Sequence, residues 1–177
     1  WGGQDSCVNN RFMGNLYEYS MIGIIKETDG SFKYDYSTMQ RYVDMCTKAG
    51  FSGDIEVIGL VNIWASKPMG VVHLCEDYPE PIRLRYLDKA DGCYKYMRNA
   101  DEIKDYIKSL EQYFISTGQI DRVRVAADEP SDIEKYRTSI DLIRQITPAF
   151  RFKTAINHAE FIEEFGEYID DYAPYLS

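Results

Sequence analysis

Apolar residues recur at intervals of three and four along four stretches of the chain, which is the spacing of an amphipathic helix. The three clearest stretches cover residues 37–50, 99–118 and 131–148, and a weaker one covers 159–168. Each of the first three begins at a polar residue of the kind that caps helices and ends at a glycine or a proline. The pattern therefore predicts four helices.

The polar residues at these starts predict particular caps. Ser37-Thr38-Met39-Gln40 and Ser131-Asp132-Ile133-Glu134 have the spacing of capping boxes, in which the first and fourth residues satisfy each other's backbone N–H groups. Asn99 is the expected cap of the longest helix, and Gly50 and Gly118 are the expected stops of the first two.

Short apolar runs lie between the helices, at residues 55–61, 122–127 and 150–156. Strands that alternate with helices pair in parallel through right-handed crossovers. We therefore predict an α/β fold in which these three strands are adjacent in chain order.

Two further pairs of short strands are separated by polar turns that contain a glycine, the pattern of antiparallel hairpins. The first pair is 21–25 with 32–36, and the second is 82–87 with 93–97. We expect both hairpins in long loops that follow parallel strands, where barrel enzymes build their sites.

Three parallel strands do not close a barrel, and an open sheet leaves unpaired edges. The chain is then either a small open α/β sheet or an excerpt from a larger protein. The apolar first and last strands carry no charged edge protection, which favours the excerpt. We expect one domain over residues 1–177, and we expect the isolated chain to associate with itself through its edges.

The balance of charged residues indicates which classes of binding partner are unfavourable. The chain has 20 basic and 29 acidic residues, for a net charge of −9, which argues against nucleic acid or an anionic membrane. No apolar run is long enough to predict a transmembrane helix. A neutral ligand such as a sugar suits this balance.

The cysteines and histidines do not predict a metal site. Cys7, Cys46, Cys75 and Cys93 include no C-x-x-C pair, and there are only two histidines, so we expect no zinc. Cys46 falls on the apolar face of a predicted helix and is expected in the core. Cys75 and Cys93 flank a predicted hairpin and are candidates for a disulfide, which the sequence does not decide.

The sharpest chemical feature is the pair Asp128-Glu129, which follows an apolar run and precedes Pro130 and a predicted helix. Adjacent carboxylates repel each other, so one of them tends to keep its proton near neutral pH. A glycosidase needs such an acid beside an anion. The alternative is that the pair only complements the dipole of the next helix.

Polar and aromatic residues also follow the other two predicted parallel strands. Asn62 and Trp64 come after the first strand, and Asn157 and His158 come after the third. Carboxyl ends of parallel strands share one edge of a sheet, so we expect these residues around Asp128 and Glu129 as a substrate-binding rim. For Trp64 and His158, the alternatives are a packing residue and a helix-start residue without a ligand.

The order and spacing of several motifs resemble the catalytic domain of glycoside hydrolase family 123. These motifs are Tyr34-Asp35-Tyr36-Ser37 through Tyr42-Val43, Ile58-Gly59-Leu60-Val61-Asn62-Ile63-Trp64, Val125-Ala126-Ala127-Asp128-Glu129-Pro130, and the loop-like Trp1-Gly2-Gly3-Gln4 and Ser20-Met21-Ile22.

The resemblance implies a TIM-type (β/α)8 barrel of which this chain holds about strands three to five, with the hairpins as insertions. It implies a retaining, substrate-assisted hydrolysis of β-linked N-acetylhexosamine, with N-acetylgalactosamine preferred, and no cofactor. Asp128 would orient the acetamido group, and Glu129 would act as general acid and then base. It also favours a secreted or periplasmic protein acting on glycans. The rival hypotheses are a non-catalytic carbohydrate-binding protein and a structural domain, and we expect the fragment alone to be inactive.

Overall fold

The computed structural model describes residues 21–61, 75, 77–80, 82, 84–128, 130, 132–156 and 159–174, with only the backbone at 128 and 174. Eight strands and four helices lie in these ranges. The strands are β1 (Gly23–Lys26), β2 (Phe32–Asp35), β3 (Ile55–Ile58), β4 (Arg85–Asp88), β5 (Cys93–Tyr96), β6 (Val123–Asp128), β7 (Arg151–Ile156) and β8 (Asp171–Pro174). The helices are α1 (Ser37–Lys48), α2 (Ala100–Ser116), α3 (Ile133–Ile146) and α4 (Glu160–Phe165), and a 3-10 turn covers Ile120–Arg122.

Strands β3, β6, β7 and β8 form a parallel sheet in that order, which we call the parallel sheet. The α/β class and the parallel pairing of the first three strands are confirmed. The first strand is shorter than predicted, because it ends at Ile58 before Gly59, whose φ of 101° is unfavourable for other residues. The fourth strand, β8, was not predicted: its four residues, Asp-Tyr-Ala-Pro, carry no apolar run.

Both predicted hairpins are present, and they join into one sheet. Strands β1 and β2 pair antiparallel, as do β4 and β5. Strands β1 and β4 then pair in parallel, with Ile25 opposite Leu87, giving the order β2-β1-β4-β5. We call this second sheet the hairpin sheet, and its assembly from two separate loops was not predicted.

The helix boundaries correct two of the predicted caps. Helix α1 is capped at Tyr36 without a side-chain hydrogen bond, and Asp35 Oδ1 accepts from the backbone N–H of Ser37 at 2.9 Å. Gln40 donates to Asp44 instead of closing a capping box, because the helix begins one residue too early for that box. Helix α3 is capped by Asp132, which accepts from Lys135 N at 3.0 Å, so the box expected from Ser131 is also wrong.

The other helix predictions agree more closely with the structure. The predicted cap of α2 is confirmed, because Asn99 Oδ1 accepts from Asp101 N at 2.7 Å. The helix ends at Ser116, and Gly118, with φ of 67°, follows its C-cap Thr117. Helix α4 covers only Glu160–Phe165 of the predicted 159–168. Within the described ranges, no helix has the length and apolar character needed to cross a bilayer.

Helix α2 contributes its apolar face to a core that residues of both sheets share. Its buried face includes Ile103, Ile107 and Phe114, which belong to one continuous apolar cluster with residues of both sheets. A second face binds the hairpin sheet, because Tyr34 donates to Asp105 at 2.8 Å and Lys26 pairs with Glu102 at 3.1 Å. The helix therefore fixes the hairpin sheet beside the parallel sheet.

The cysteines differ from two expectations. Cys75 is buried and Cys93 is exposed, and both are free thiols, so the candidate disulfide is not formed. Cys46 is only partly buried, because its part of α1 borders a cavity instead of the close-packed core.

Candidate active site

The four strands of the parallel sheet end at one edge, which we call the carboxyl edge. The last residue of β6 is Asp128, which lies opposite Ala155 of β7, and Ile156 lies opposite residue 174 of β8. Strand β6 is an inner strand of this sheet, between β3 and β7. Asp128 is thus at the position where α/β proteins place catalytic groups.

For the other predicted site residues, the structure describes only the neighbouring parts of the chain. Asn62, Trp64, Glu129, Asn157 and His158 lie outside the described residues, and the Asp128 side chain is not described. Strand β7 ends immediately before Asn157, and the described backbone after β3 ends immediately before Asn62. The predicted rim of substrate-binding residues therefore stays a prediction.

The parallel sheet has two faces of different chemistry. One face carries Val123, Val125 and Phe152, which are buried in the shared core. The opposite face, which we call the open face, includes exposed Ile58 and partly exposed Ala126 and Ala155. This alternation follows from the two-residue period of a strand.

Charged side chains occupy the half of the open face that is farther from the carboxyl edge. The Lys153 ammonium lies 2.8 Å from Glu56 Oε1 and 3.5 Å from Asp54 Oδ2. The guanidinium of Arg124 pairs with Asp171 and lies 4.0 Å from Asp54 Oδ1. Two cations, on β6 and β7, thus bind three carboxylates, on β8 and at β3.

The two main ion pairs cross each other. Lys153 is on β7 and its partner Glu56 is on β3, so this pair spans β6. Arg124 is on β6 and its partner Asp171 is on β8, so that pair spans β7. The hydrogen bond to Glu56 raises the pKa of the Lys153 ammonium above its usual value.

The sequence pattern also contains a signal for these ion pairs. In β6 and β7 basic residues alternate with apolar ones, as Arg124 between two valines and as Lys153 after Phe152. Such alternation predicts a strand with one polar face. It does not say which carboxylates the cations bind.

Residues near the carboxyl edge of the open face are small. The cross-strand row that contains Asp128 continues through Ala155 to Ala173. The next row down places Ala126 beside Lys153. Alanine side chains leave free volume above the sheet at this end.

A cavity of about 490 Å³ lies elsewhere, between α1, α2 and β3. Its lining is largely apolar and includes Met39 and Val43 of α1 and Leu110 of α2. Ile58 and Gly59 also line it, so the cavity borders the end of the edge strand β3. Within the part of the chain that the structure describes, no three His, Cys, Asp or Glu side chains are placed to hold a metal ion.

Comparison with known proteins finds solved structures with a similar fold. One of the solved structures that match is a family 123 glycoside hydrolase from Clostridium perfringens, described in terms of glycolipid glycan hydrolysis. The superposition has a TM-score of 0.61 at 18% sequence identity, and it covers 88% of this chain and 26% of that one. The chain thus spans about a quarter of that relative's length, and the likeness shows a shared fold.

The curated proteins contain no significant match to the chain. The sequence profile described as "Glycoside hydrolase 123, catalytic domain" matches residues 1–177. Since this match covers the whole chain, the chain belongs to glycoside hydrolase family 123.

Proposed function

We propose that the chain forms part of the catalytic (β/α)8 barrel of a glycoside hydrolase that cleaves β-linked N-acetylhexosamine, with N-acetylgalactosamine preferred. The observation that carries the proposal is the position of Asp128, the last residue of an inner parallel strand in a chain of this family. In this proposal β3, β6, β7 and β8 are four of the eight strands of the barrel, and the two hairpins are insertions in its loops.

The geometry of β6 supports a substrate pocket above Asp128. Side chains alternate along a strand, so position 128 belongs to the same face as Arg124 and Ala126. Its row neighbours Ala155 and Ala173 carry only methyl groups. A pyranose ring needs such free volume if its anomeric carbon is to approach the carboxylates at residues 128 and 129.

The proposed reaction is substrate-assisted and retains the anomeric configuration. The acetamido oxygen of the sugar attacks the anomeric carbon while the glycosidic C–O bond breaks, and Glu129 gives its proton to the leaving oxygen. Asp128 orients the acetamido group and stabilises the positive charge that develops on it. Water then attacks the same carbon and breaks its bond to the acetamido oxygen, Glu129 takes a proton from this water, and the sugar is released.

The residues proposed to bind the sugar are those that follow the other strand ends. Asn62, Asn157 and His158 carry hydrogen-bonding groups for sugar hydroxyls, and Trp64 carries a ring for stacking on the pyranose. This assignment rests on their places in the chain, directly or shortly after β3 and β7. No cofactor is required by the proposed reaction, and the proposed partner is a glycan.

The test is an assay of the complete protein that contains this chain, on aryl β-N-acetylgalactosaminide and on the matching glucosaminide. We expect hydrolysis of both, faster for the galactosaminide, with the product released in the β-configuration as seen by proton NMR. Binding of the sugar without hydrolysis would support the carbohydrate-binding alternative. Inverted product would exclude the substrate-assisted mechanism.

The same proposal has consequences for the chain by itself. We expect the 177-residue chain to be inactive, because four strands cannot enclose a sugar, and to self-associate through sheet edges. Sedimentation of a stable monomer would contradict the second expectation. A secreted or periplasmic location is the matching proposal for an enzyme that acts on glycans.

A further inference from the structure

We propose that Lys153 is a positioning residue for the site at the carboxyl edge, and that its ion pair with Glu56 and the crossed pair of Arg124 with Asp171 form the floor of the sugar pocket. This inference rests on the proposed function, and it adds residues that have no part in the chemistry described above. We call these four residues and Asp54 the floor.

The location of the floor follows from the sheet register. Lys153 and Asp171 lie in one cross-strand row with Ala126, and Asp128 lies in the next row toward the carboxyl edge. Two residues along a strand span roughly 6.6 Å, so the backbone of Lys153 and Asp171 lies one such step below position 128, and that of Arg124 and Glu56 lies two steps below. A sugar that contacts Asp128 would therefore have the floor beneath it.

The path of the Lys153 side chain explains how it acts on β6. Its ammonium reaches Glu56 on β3, and β6 runs between β3 and β7, so the side chain must pass over β6. Ala126 is the row neighbour that it passes, and a larger side chain there would block the way. Arg124 extends from β6 in the opposite direction, toward β8. Strand β6 is thus held from both sides by pairs that each span a strand.

These ion pairs are partly buried, so they fix the positions of their side chains more strongly than exposed surface pairs do. The side chain of Arg124 is 12% exposed and that of Lys153 is 26% exposed. Partly buried ion pairs contribute little net stability, because the loss of hydration offsets their attraction. They do fix geometry, since an unpaired charge at such a site is costly. Their main effect is therefore expected on the placement of β6 and of the carboxylates at its end.

Removal of the Lys153 charge would leave Asp54 only the Arg124 guanidinium, 4.0 Å away, and would break the ion pair that ties β7 to β3 across β6. Without this tie we expect the end of β6 to shift. A displacement of about 1 Å in a catalytic group can reduce the rate by about two orders of magnitude. A smaller shift through one strand should reduce kcat by about tenfold.

The test compares four forms of the complete protein: the parent, Lys153→Met, Lys153→Arg and Arg151→Met. Arg151 is the matched control, because it is on the same strand, pairs with Asp121 at 3.3 Å and is 47% exposed at the far end of β7. We measure kcat, KM and Tm for each, with aryl β-N-acetylgalactosaminide as the substrate. We expect Lys153→Met to lose about tenfold in kcat with KM changed by less than about threefold. Lys153→Arg should recover most of kcat, and Arg151→Met should match the parent.

The outcomes separate this inference from the proposed function. A parent without glycosidase activity overturns the proposed function, and the inference with it. An active parent whose kcat is unchanged in Lys153→Met, whatever happens to Tm, overturns the inference alone. If Lys153→Met does not fold, Glu56→Gln removes the nearest partner and leaves Asp54 to bind Lys153. We then expect a smaller loss of kcat, and an unchanged kcat in that variant overturns the inference.

Discussion

The carboxylate of Glu111, which is 5% exposed in α2, accepts a hydrogen bond from the backbone N–H of Ala149 at 2.8 Å. Ala149 lies just before β7, so this bond ties the central helix to the start of an inner strand of the parallel sheet. A buried acceptor that binds a backbone donor between elements stabilises their relative placement.

Replacement of Glu111 should therefore lower stability more than replacement of its neighbour. We expect Glu111→Ala to reduce the free energy of unfolding by about 2 kcal/mol, because a hydrogen bond is lost and a void remains. Glu111→Gln keeps an oxygen acceptor and should lose about half as much. Exposed Gln112 provides the control, and Gln112→Ala should change stability by less than about 0.5 kcal/mol. Urea titrations that show equal losses for Glu111→Ala and Gln112→Ala would refute the structural role.

In the complete protein, Glu129→Gln should slow the hydrolysis of substrates with poor leaving groups more than that of substrates with activated leaving groups. The amide keeps the shape of the side chain but cannot transfer a proton, so kcat on a natural glycan should fall by about 10²–10⁴-fold. With an activated aryl leaving group the loss in the cleavage step should be smaller, because that oxygen needs less protonation. Full activity of the variant on a poor leaving group would leave Glu129 with only a helix-start role.

Asp128→Asn should behave differently from Glu129→Gln. If Asp128 orients the acetamido group, attack by the acetamido oxygen is impaired whatever the leaving group is. We expect similar losses of kcat/KM on aryl and natural substrates, of about 10²–10³-fold, as for other preorganised charge-stabilising groups. A variant that is impaired only on the natural substrate would show that the roles of the two carboxylates are exchanged.

The order of the parallel strands could be predicted from the sequence because β6 and β7 are apolar runs between strong helical patterns. The same reasoning could not find β8, because the pairing of Asp171–Pro174 with β7 is set by position and not by composition. The parallel pairing of β1 with β4 could not be predicted from the sequence either. Each hairpin is specified by its own turn, but the partner across a sheet is chosen by tertiary packing.

For the candidate site, the strand end at Asp128 could be predicted from the sequence, and the ion pairs on the same face of the sheet could not. Asp128 was expected at a strand end, and the backbone of β6 has it there. The ion pairs of Lys153 and Arg124 were missed, because a charge pattern along one strand does not identify a partner two strands away. The caps at Ser37 and Ser131 were wrong by one residue: α1 is capped at Tyr36, and Asp132 caps α3 by accepting from the backbone N–H of Lys135. Neighbouring polar residues such as Asp132 compete for the free N–H groups of a helix start.

The thiols should differ sharply in reactivity. Burial and a hydrogen bond to Asp77 raise the pKa of Cys75 to about 12, and the side chain is 1% exposed, whereas Cys93 is exposed. Only the thiolate reacts, so at pH 8 roughly one Cys75 in 10⁴ is reactive even before access is considered. Iodoacetamide labelling read by peptide mass spectrometry should modify Cys93 in the native protein and Cys75 only in urea. Equal native labelling of the two would contradict the packing around Cys75.

Protonation of Asp88 at acid pH should lower the stability of the hairpin sheet. Its hydrogen bond to Lys95, at 2.8 Å, holds the pKa of Asp88 below the usual value. A folded-state pKa that is depressed contributes stability above the unfolded pKa, and that contribution disappears as the pH falls through the folded value. Asp88→Asn should therefore be less stable than the parent at pH 7 and should lose less on acidification to about pH 2.

The partner variant checks the cause of that effect. Lys95→Met removes the hydrogen-bond donor and should flatten the pH dependence of stability in the same region. Urea denaturation at several pH values between neutral and acid measures both variants. A parent-like acid dependence in both would show that the Asp88–Lys95 pair is not responsible.

The parallel pairing of β1 with β4 has a consequence for engineering this protein. The backbone N–H of Lys89 binds the carbonyl of Lys26, and Lys89 also pairs with Glu27, 62 residues away in the chain. The two hairpin loops are therefore one module whose halves are encoded apart. A loop graft that replaces one hairpin while keeping the other would expose a bare strand edge, so exchanges of these loops between homologous enzymes should succeed only when both are moved together.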